Sequence, residues 1–166
     1  MAPTLPPLID DASVALFESG RAAKLIGAAD DNRRGTVVHA YACRVDPDRR
    51  RITVTMGRSQ AAPVLNALAG NRRITLVACH IQTFKSLQVK GEDARLVETS
   101  PADREATVAH CNEFALFARS LGYDEAVMRA HMECAAEDVI VVAFTLGQAF
   151  VQTPGPTAGQ PLAPVP

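Results

Sequence analysis

The segment Thr55–Gln60 combines side chains that could hold a phosphate. Gly57 breaks a strand pattern, and Ser59 can cap the helix that follows. A helix N-terminus presents free N–H groups and a partial positive charge, which suits an anion. Arg58 adds a cation, and the Thr55 and Ser59 hydroxyls can donate. An ordinary capped surface helix would show the same pattern.

A second set of polar side chains lies along Ser86–Gly91. Strand alternation puts Gln88 and Lys90, together with the serine, on one face and two apolar side chains on the other. The Gln88 amide could meet the edge of a heterocycle, and the Lys90 ammonium could meet a phosphate. A solvent-facing strand surface is the alternative interpretation.

The third stretch, His39–Arg44, carries small residues that would let a flat ring lie close to a strand. Arg44 could reach an anion, or pair instead with Asp46 or Asp48. His39 is the best histidine candidate for a proton donor or an axial haem ligand. Ala40, Tyr41 and Ala42 precede Arg44 in this stretch.

Charge is distributed unevenly along the 166 residues, although the net charge is only −1. The segment Arg49–Gly91 has eight basic residues and no acidic one, whereas Glu92–Asp138 has eleven acids and four bases. A basic block within a neutral protein favours a local anion site. It argues against nucleic-acid binding, which usually needs a strongly basic domain.

Turn residues and hydrophobic patterns predict a mainly β (β + α) chain, an antiparallel barrel with peripheral helices. A globular domain should cover residues 1–152, followed by a Pro/Gly-rich arm or tail over 153–166. The predicted elements are a helix from Asp10 or Asp11 to Gly20, strands at 24–29, 36–45 and 52–56, a helix capped by Ser59 and ended by Gly70, strands at 73–79 and 84–98 (interrupted at Gly91), helices from Ser100 to Gly122 and over 124–132, and a buried strand at 139–144.

Other signals point to a cytosolic protein without metal. No apolar run is long enough for a membrane span, and the N-terminus lacks a secretory pattern. The four cysteines have no C-x-x-C spacing, so we expect small buried residues rather than a zinc site or disulfides. His110 and His131 are expected to be solvated or paired. No catalytic side chain is identified.

The order of these motifs resembles the FMN-binding split barrel of the pyridoxamine 5′-phosphate oxidase-like superfamily, over residues from about 12 to 150. The segments that carry the resemblance are 37–44, 52–55 with its turn into a helix, 73–77 and 83–91. The resemblance implies a split β-barrel with FMN at a homodimer interface. It also implies a flavin ring along the first segment and a contact from Gln88 to the ring edge. The residues that it places beside the ring are Ala40, Tyr41, Ala42 and Arg44, and those that it places around the phosphate are Thr55, Arg58, Ser59 and Gln60.

Departures from the family pattern narrow the function. Where relatives often carry an Arg-Lys pair, this chain has Ser59-Gln60, and it lacks tryptophan and a charged tail, so vitamin B6 oxidation is not expected. The implied function is an FMN-dependent oxidoreductase acting on a small molecule. Alternatives are a flavin- or haem-storage protein and a deazaflavin-dependent reductase. Phe150 and Gln152 could reach a partner's ring, or the arm could pack on its own surface.

Overall fold

A computed structural model describes residues 7–162. Its elements are α1 (Asp11–Glu18), β1 (Ala22–Ala29), β2 (Gly35–Ala40), β3 (Cys43–Val45), β4 (Arg51–Gly57), α2 (Arg58–Asn71), β5 (Ile74–His80), β6 (Ser86–Gly91), β7 (Arg95–Val97), α3 (Pro101–Ser120), α4 (Glu125–His131), a 3₁₀ turn (Ala136–Asp138), β8 (Val139–Thr145) and β9 (Gln148–Val151). Among the described residues, no helix has the length and apolar character required to cross a bilayer.

Two antiparallel sheets enclose the core. The five-stranded sheet has the order β2-β1-β5-β6-β9, and the four-stranded sheet has the order β3-β4-β8-β7. Alternate side chains of both sheets, such as Ile26, Leu76 and Val142, meet in one continuous apolar cluster. The predicted antiparallel split barrel with peripheral helices is confirmed.

Two predicted strands each turn out to be two, because the chain passes from one sheet to the other. The first break separates β2 from β3, where the Tyr41 N–H donates to the Thr55 carbonyl at 2.9 Å. The second break follows Gly91. A Cβ on Gly91 would lie 2.6 Å from both Phe144 and the Thr145 carbonyl, so only glycine allows this close approach. The interruption predicted at Gly91 is therefore confirmed.

Helix α2 differs from its prediction at both ends. Gly57, rather than Ser59, is the N-cap residue. The helix ends at Asn71, one residue beyond the predicted Gly70, and its C-cap residue Arg72 takes a left-handed conformation (φ 58°) and donates its N–H to the Leu68 carbonyl. Helix α3 follows the sequence closely, because Ser100 and Asp103 form a reciprocal capping box.

The short strand β9 is not among the predicted elements, and the C-terminal arm forms hydrogen bonds with it. After Val151 the chain turns back, so that the Val151 N–H donates to Gln160 and the Leu162 N–H to Ala149. The described part of the arm thus packs against its own sheet edge, and a covered edge resists strand-to-strand association. The last four residues of the predicted tail, 163–166, lie outside the described residues, as do residues 1–6.

Candidate functional site

An open cleft of about 1110 Å³ lies at one end of the five-stranded sheet. It is formed where β1 ends and where β2 and β5 begin. The end of β6 and the neighbouring turn between β8 and β9 complete it. Its main lining residues are Gly27, Arg33, Val37, Arg73, Thr75 and Lys90. Pockets for small ligands typically measure roughly 300–1,000 Å³, so the cleft can hold a cofactor-sized molecule with one side open.

The floor of the cleft is a sheet face on which Gly27 contributes no side chain. Gly27 pairs with Val37 on β2 and with Thr75 on β5, and Thr75 pairs with Lys90 on β6. A Cβ on Gly27 would meet nothing nearer than the Thr36 carbonyl, 3.7 Å away. A planar ring could therefore lie directly on the strand backbone here.

Three cations line this floor, and in residues 7–162 none of them forms an ion pair: Arg33, Arg73 and Lys90. The Lys90 ammonium instead lies 4.8 Å from the centre of the Phe150 ring. Four carboxylates line the same cleft, and three of them accept hydrogen bonds from nearby groups. Asp30 accepts the Arg34 N–H, Asp31 accepts the Asn71 amide, and Asp93 accepts the Thr145 N–H and hydroxyl. The fourth is Glu92. The unpaired cations give the cleft the capacity to bind an anion.

Arg33 is held in the left-handed region, at φ 63°, in the turn between β1 and β2. The Arg33 N–H donates to the Asp30 carbonyl, which closes the turn. Left-handed backbone costs a non-glycine residue roughly 1–2 kcal/mol. A glycine would adopt this conformation at a lower backbone cost.

Gln88 and Lys90 lie on the same outward face, as alternation predicts. Lys90 lines the cleft, whereas Gln88 occupies the next row of the sheet, between Val77 and Phe150. The Gln152 amide donates to the Gln88 carbonyl oxygen at 3.3 Å. Lys90 is the one member of the ten predicted binding residues that lines the cleft.

The predicted phosphate turn lies at the opposite end of α2. The cleft includes Asn71 at the C-terminus of this helix, and 14 residues span about 21 Å. At the N-terminus the Asp138 carboxylate accepts the Ser59 N–H at 3.0 Å and the Ser59 hydroxyl at 2.6 Å. Arg58 and Gln60 are exposed beside this contact. An internal anion thus occupies the place where the sequence predicts a phosphate.

The segment predicted to flank a flat ring is largely buried within the fold. Ala40 faces the barrel core, and Tyr41 packs with Phe114 and Met132. The Ala42 N–H donates to the Thr55 hydroxyl, and that hydroxyl also accepts from Thr107 at 2.8 Å. Arg44 pairs with neither expected aspartate, but lies 3.6 Å from Asp103. These four residues therefore make contacts within the fold itself, in the core and beside the paired strands β3 and β4.

Helices α3 and α4 cover the other end of the five-stranded sheet, where β1 begins and β2 ends. Lys24 is 1% exposed there; its ammonium donates to the Ser19 carbonyl at 2.7 Å and lies 3.4 Å from Nδ1 of His110. Burial, partly offset by Cys43 and Glu113, lowers the pKa of Lys24 to about 8.

His110 was predicted to be solvated or paired, and the structure shows the second alternative: it is 5% exposed, and its Nδ1 atom lies 3.4 Å from the Lys24 ammonium. Its Nε2 atom is buried and has no hydrogen-bond partner. Burial, reinforced by the Lys24 charge, lowers the pKa of His110 to about 3. The sequence predicts a helix with acidic residues around His110, and only tertiary packing reveals that this histidine faces inward.

His39 stands on the outer face of the five-stranded sheet, opposite Leu25 on β1. Its ring meets that of His131 edge to face, with centroids 4.6 Å apart. Burial, and then the charge of His131, lower the pKa of His39. A neutral imidazole is consequently favoured at neutral pH.

Two cleft residues were missed as a pair by sequence reasoning. Arg33 lies between the predicted strands 24–29 and 36–45, and Arg73 is the first residue of the predicted strand 73–79. The signal in the sequence was the acid-free block for Arg73 and the turn-forming residues 30–35 for Arg33. Neither signal says which face of the sheet the side chains share.

No protein-family model matches this sequence, and no curated protein matches it. Solved structures are nevertheless similar in fold. The HupZ protein of Group A Streptococcus has a TM-score of 0.54 at 9% identity, over 91% of this chain and 100% of that one. A putative pyridoxamine 5′-phosphate oxidase from Lactobacillus delbrueckii has a TM-score of 0.51 at 13% identity, over 86% and 93%.

HutZ of Vibrio cholerae, described as a heme storage protein, has a TM-score of 0.49 at 14% identity, over 87% of this chain and 94% of that one. The chain therefore shares the fold of HupZ and of this putative pyridoxamine 5′-phosphate oxidase. Identities this low establish the fold and leave the ligand to be argued from the site.

Proposed function

We propose that this chain binds FMN in the open cleft and serves as an FMN-dependent oxidoreductase for a small molecule. The observation that carries the proposal is the juxtaposition of a bare sheet floor at Gly27 with the unpaired cations Arg33, Arg73 and Lys90. A planar ring joined to a phosphate needs these two features side by side. The fold supports the same class of cofactor.

The chain's own residues would bind and orient the cofactor. Val37 and Thr75 flank the ring on the floor, and the guanidinium groups of Arg33 and Arg73 suit bidentate contact with phosphate oxygens. Lys90 supplies a third positive charge. A bound flavin would supply hydride or electron transfer, and the protein's part would be to place and tune it. A small-molecule substrate would approach from the open side.

The outer sheet face also suits a second copy of the chain, as the resemblance implied. Leu25 is 39% exposed and Val37 is 67% exposed on this face, next to the cleft. A homodimer in which these side chains pack together would exclude water from a cofactor lying between the subunits. Exposed apolar side chains in a contiguous position favour association.

A haem-binding function is the second candidate, because of His39. Its imidazole lies on the same outer face, between exposed apolar neighbours, and burial favours the neutral form that binds iron. In this alternative the face would hold a macrocycle near Leu25 rather than a phosphorylated ring in the cleft.

The test compares three ligands on the full-length protein. FMN, a deazaflavin cofactor and haem are titrated separately, and binding is followed by visible absorption and by quenching of flavin fluorescence. We expect FMN to bind best and to be bleached when a reduced nicotinamide is added without oxygen. FMN that binds but stays oxidised would support storage, and preferential haem binding would transfer the function to His39. Failure of all three ligands to bind would contradict the proposal.

A further inference from the structure

Sulfur atoms are concentrated at one place in this molecule. The chain has four cysteines and four methionines. Two of each meet near the α3–α4 hairpin: Met132 is buried against Tyr41 and Phe114, with Cys111, Cys134 and Met128 packed on this cluster. Helix α3 contributes Cys111, the segment after α4 contributes Met132 and Cys134, and all three side chains pack in the cluster that contains Tyr41.

Three of these sulfur residues line the same cavity. Cys111, Met132 and Cys134 border a surface cavity of about 180 Å³, ample for a single ion. The two cysteines are half-buried, so the cavity is reachable from solvent. The cationic neighbour Arg129 is engaged by Glu125 and Asn112, at 2.8 and 2.7 Å. The Cys134 thiol donates to the Ala135 carbonyl at 3.8 Å.

The chemistry of these ligands favours a soft cation. Within residues 7–162, no group of three or more His, Cys, Asp or Glu side chains could hold a metal ion, so a zinc site of the usual ligands is not available. Thiolate and thioether ligands select Cu(I) instead. We propose that Cys111, Cys134 and Met132 form a binding site for a soft monovalent metal ion of the Cu(I) class.

Binding would release protons. Burial, with a contribution from Cys134, raises the pKa of the Cys111 thiol to about 11, and burial raises that of Cys134. Both thiols are therefore protonated at neutral pH, which makes them poor nucleophiles but leaves them able to exchange a proton for a metal. One Cu(I) and two thiols would give a dithiolate complex and two protons, with no change of oxidation state. The affinity should rise with pH.

The experiment uses the reduced full chain under nitrogen, with Cu(I) supplied as its coloured bicinchoninate complex. We expect the protein to remove one equivalent of Cu(I) and bleach the dye. Cys111→Ser and Cys134→Ser should each weaken binding more than about 100-fold, since even outer-sphere partners are typically worth 10–100-fold. Met132→Leu, which nearly conserves volume, should weaken it less. Cys79→Ser, at a half-buried cysteine on the sheet, is the matched control and should bind normally.

A second measurement works even where a variant fails to fold. Wild-type protein is alkylated with iodoacetamide with and without Cu(I), and each cysteine is followed by mass spectrometry. Protection of Cys111 and Cys134, with Cys79 unaffected, supports the site. Equal alkylation of all cysteines, uptake of Cu(I) by the double cysteine variant, or a Cys111–Cys134 disulfide in place of metal uptake would overturn it.

Discussion

The two ends of the five-stranded sheet differ in whether their ionisable side chains are buried or line an open cleft. At the covered end, Lys24 and His110 are enclosed by α1 and α3, and burial lowers the pKa of both. At the open end, Arg33, Arg73 and Lys90 surround a bare floor and have no ionic partner among the described residues. The same strands run through both ends. Enclosed charges mainly affect stability, whereas unpaired charges beside a cleft are available to a ligand.

The sharpest way to break this comparison is to remove two open-end cations. Arg73→Ala combined with Lys90→Ala should weaken FMN binding by about 3–6 kcal/mol, because a hydrogen bond to a charged group contributes about 1.5–3 kcal/mol. The dissociation constant in a fluorescence titration should rise roughly 10²- to 10⁴-fold.

The control for that experiment removes the same charge elsewhere. Arg58→Ala combined with Lys85→Ala also deletes two exposed cations, one of them at the α2 N-terminus where Asp138 already binds Ser59. FMN affinity should stay close to wild type in this variant. If the control loses affinity and the cleft variant does not, the phosphate lies at the helix N-terminus, as the sequence predicted.

Burial of His110 at the covered end should make the free energy of unfolding sensitive to acid. The pKa of His110 is about 3 in the folded protein and about 6.5 when unfolded. Between these values the unfolded chain binds a proton that the folded chain does not, so the free energy of unfolding falls as pH decreases from 6.5 toward 3. The loss should be on the order of 4 kcal/mol.

His110→Gln isolates this contribution, because glutamine can still accept from Lys24 and does not titrate. Urea unfolding at several pH values should give a shallower acid decline for the variant than for wild type. Other carboxylates, such as Asp10 and Asp93, destabilise both proteins in acid and cancel in the difference. Parallel curves would show that His110 is protonated normally in the fold.

Much of the fold was predictable because its signals are local. The Ser100 capping box, the alternation in β4 and the glycine break at Gly91 each depend on neighbouring residues. The sheet changes after Ala40 and after Gly91 were not predictable, since a strand of suitable composition can continue or cross between sheets. Strand β9 is short and half-exposed, and its pairing with β6 makes it a strand.

The candidate site was predictable only in part, because it depends on which faces meet. Alternation correctly paired Gln88 with Lys90, and the acid-free block contains Arg73. The capture of Ser59 by Asp138 joins residues 79 positions apart. No residue near Ser59 in the sequence indicates that the Asp138 carboxylate, just before β8, reaches the helix N-terminus.

The smallest expected effect concerns the two left-handed arginines near the cleft. Arg33 and Arg72 have φ values of 63° and 58°, but only Arg33 lines the cleft. Glycine at either position should relieve backbone strain, and its greater freedom in the unfolded chain offsets part of the gain, leaving less than about 1 kcal/mol in thermal or urea unfolding. Arg33→Gly should also weaken FMN binding about tenfold or more, because a charged hydrogen bond of about 1.5 kcal/mol is lost. Arg72→Gly should leave that affinity unchanged. The pair therefore separates strain from ligand contact: equal affinities in the two variants would mean that Arg33 serves only its turn, and that the open end holds its ligand with Arg73 and Lys90 alone.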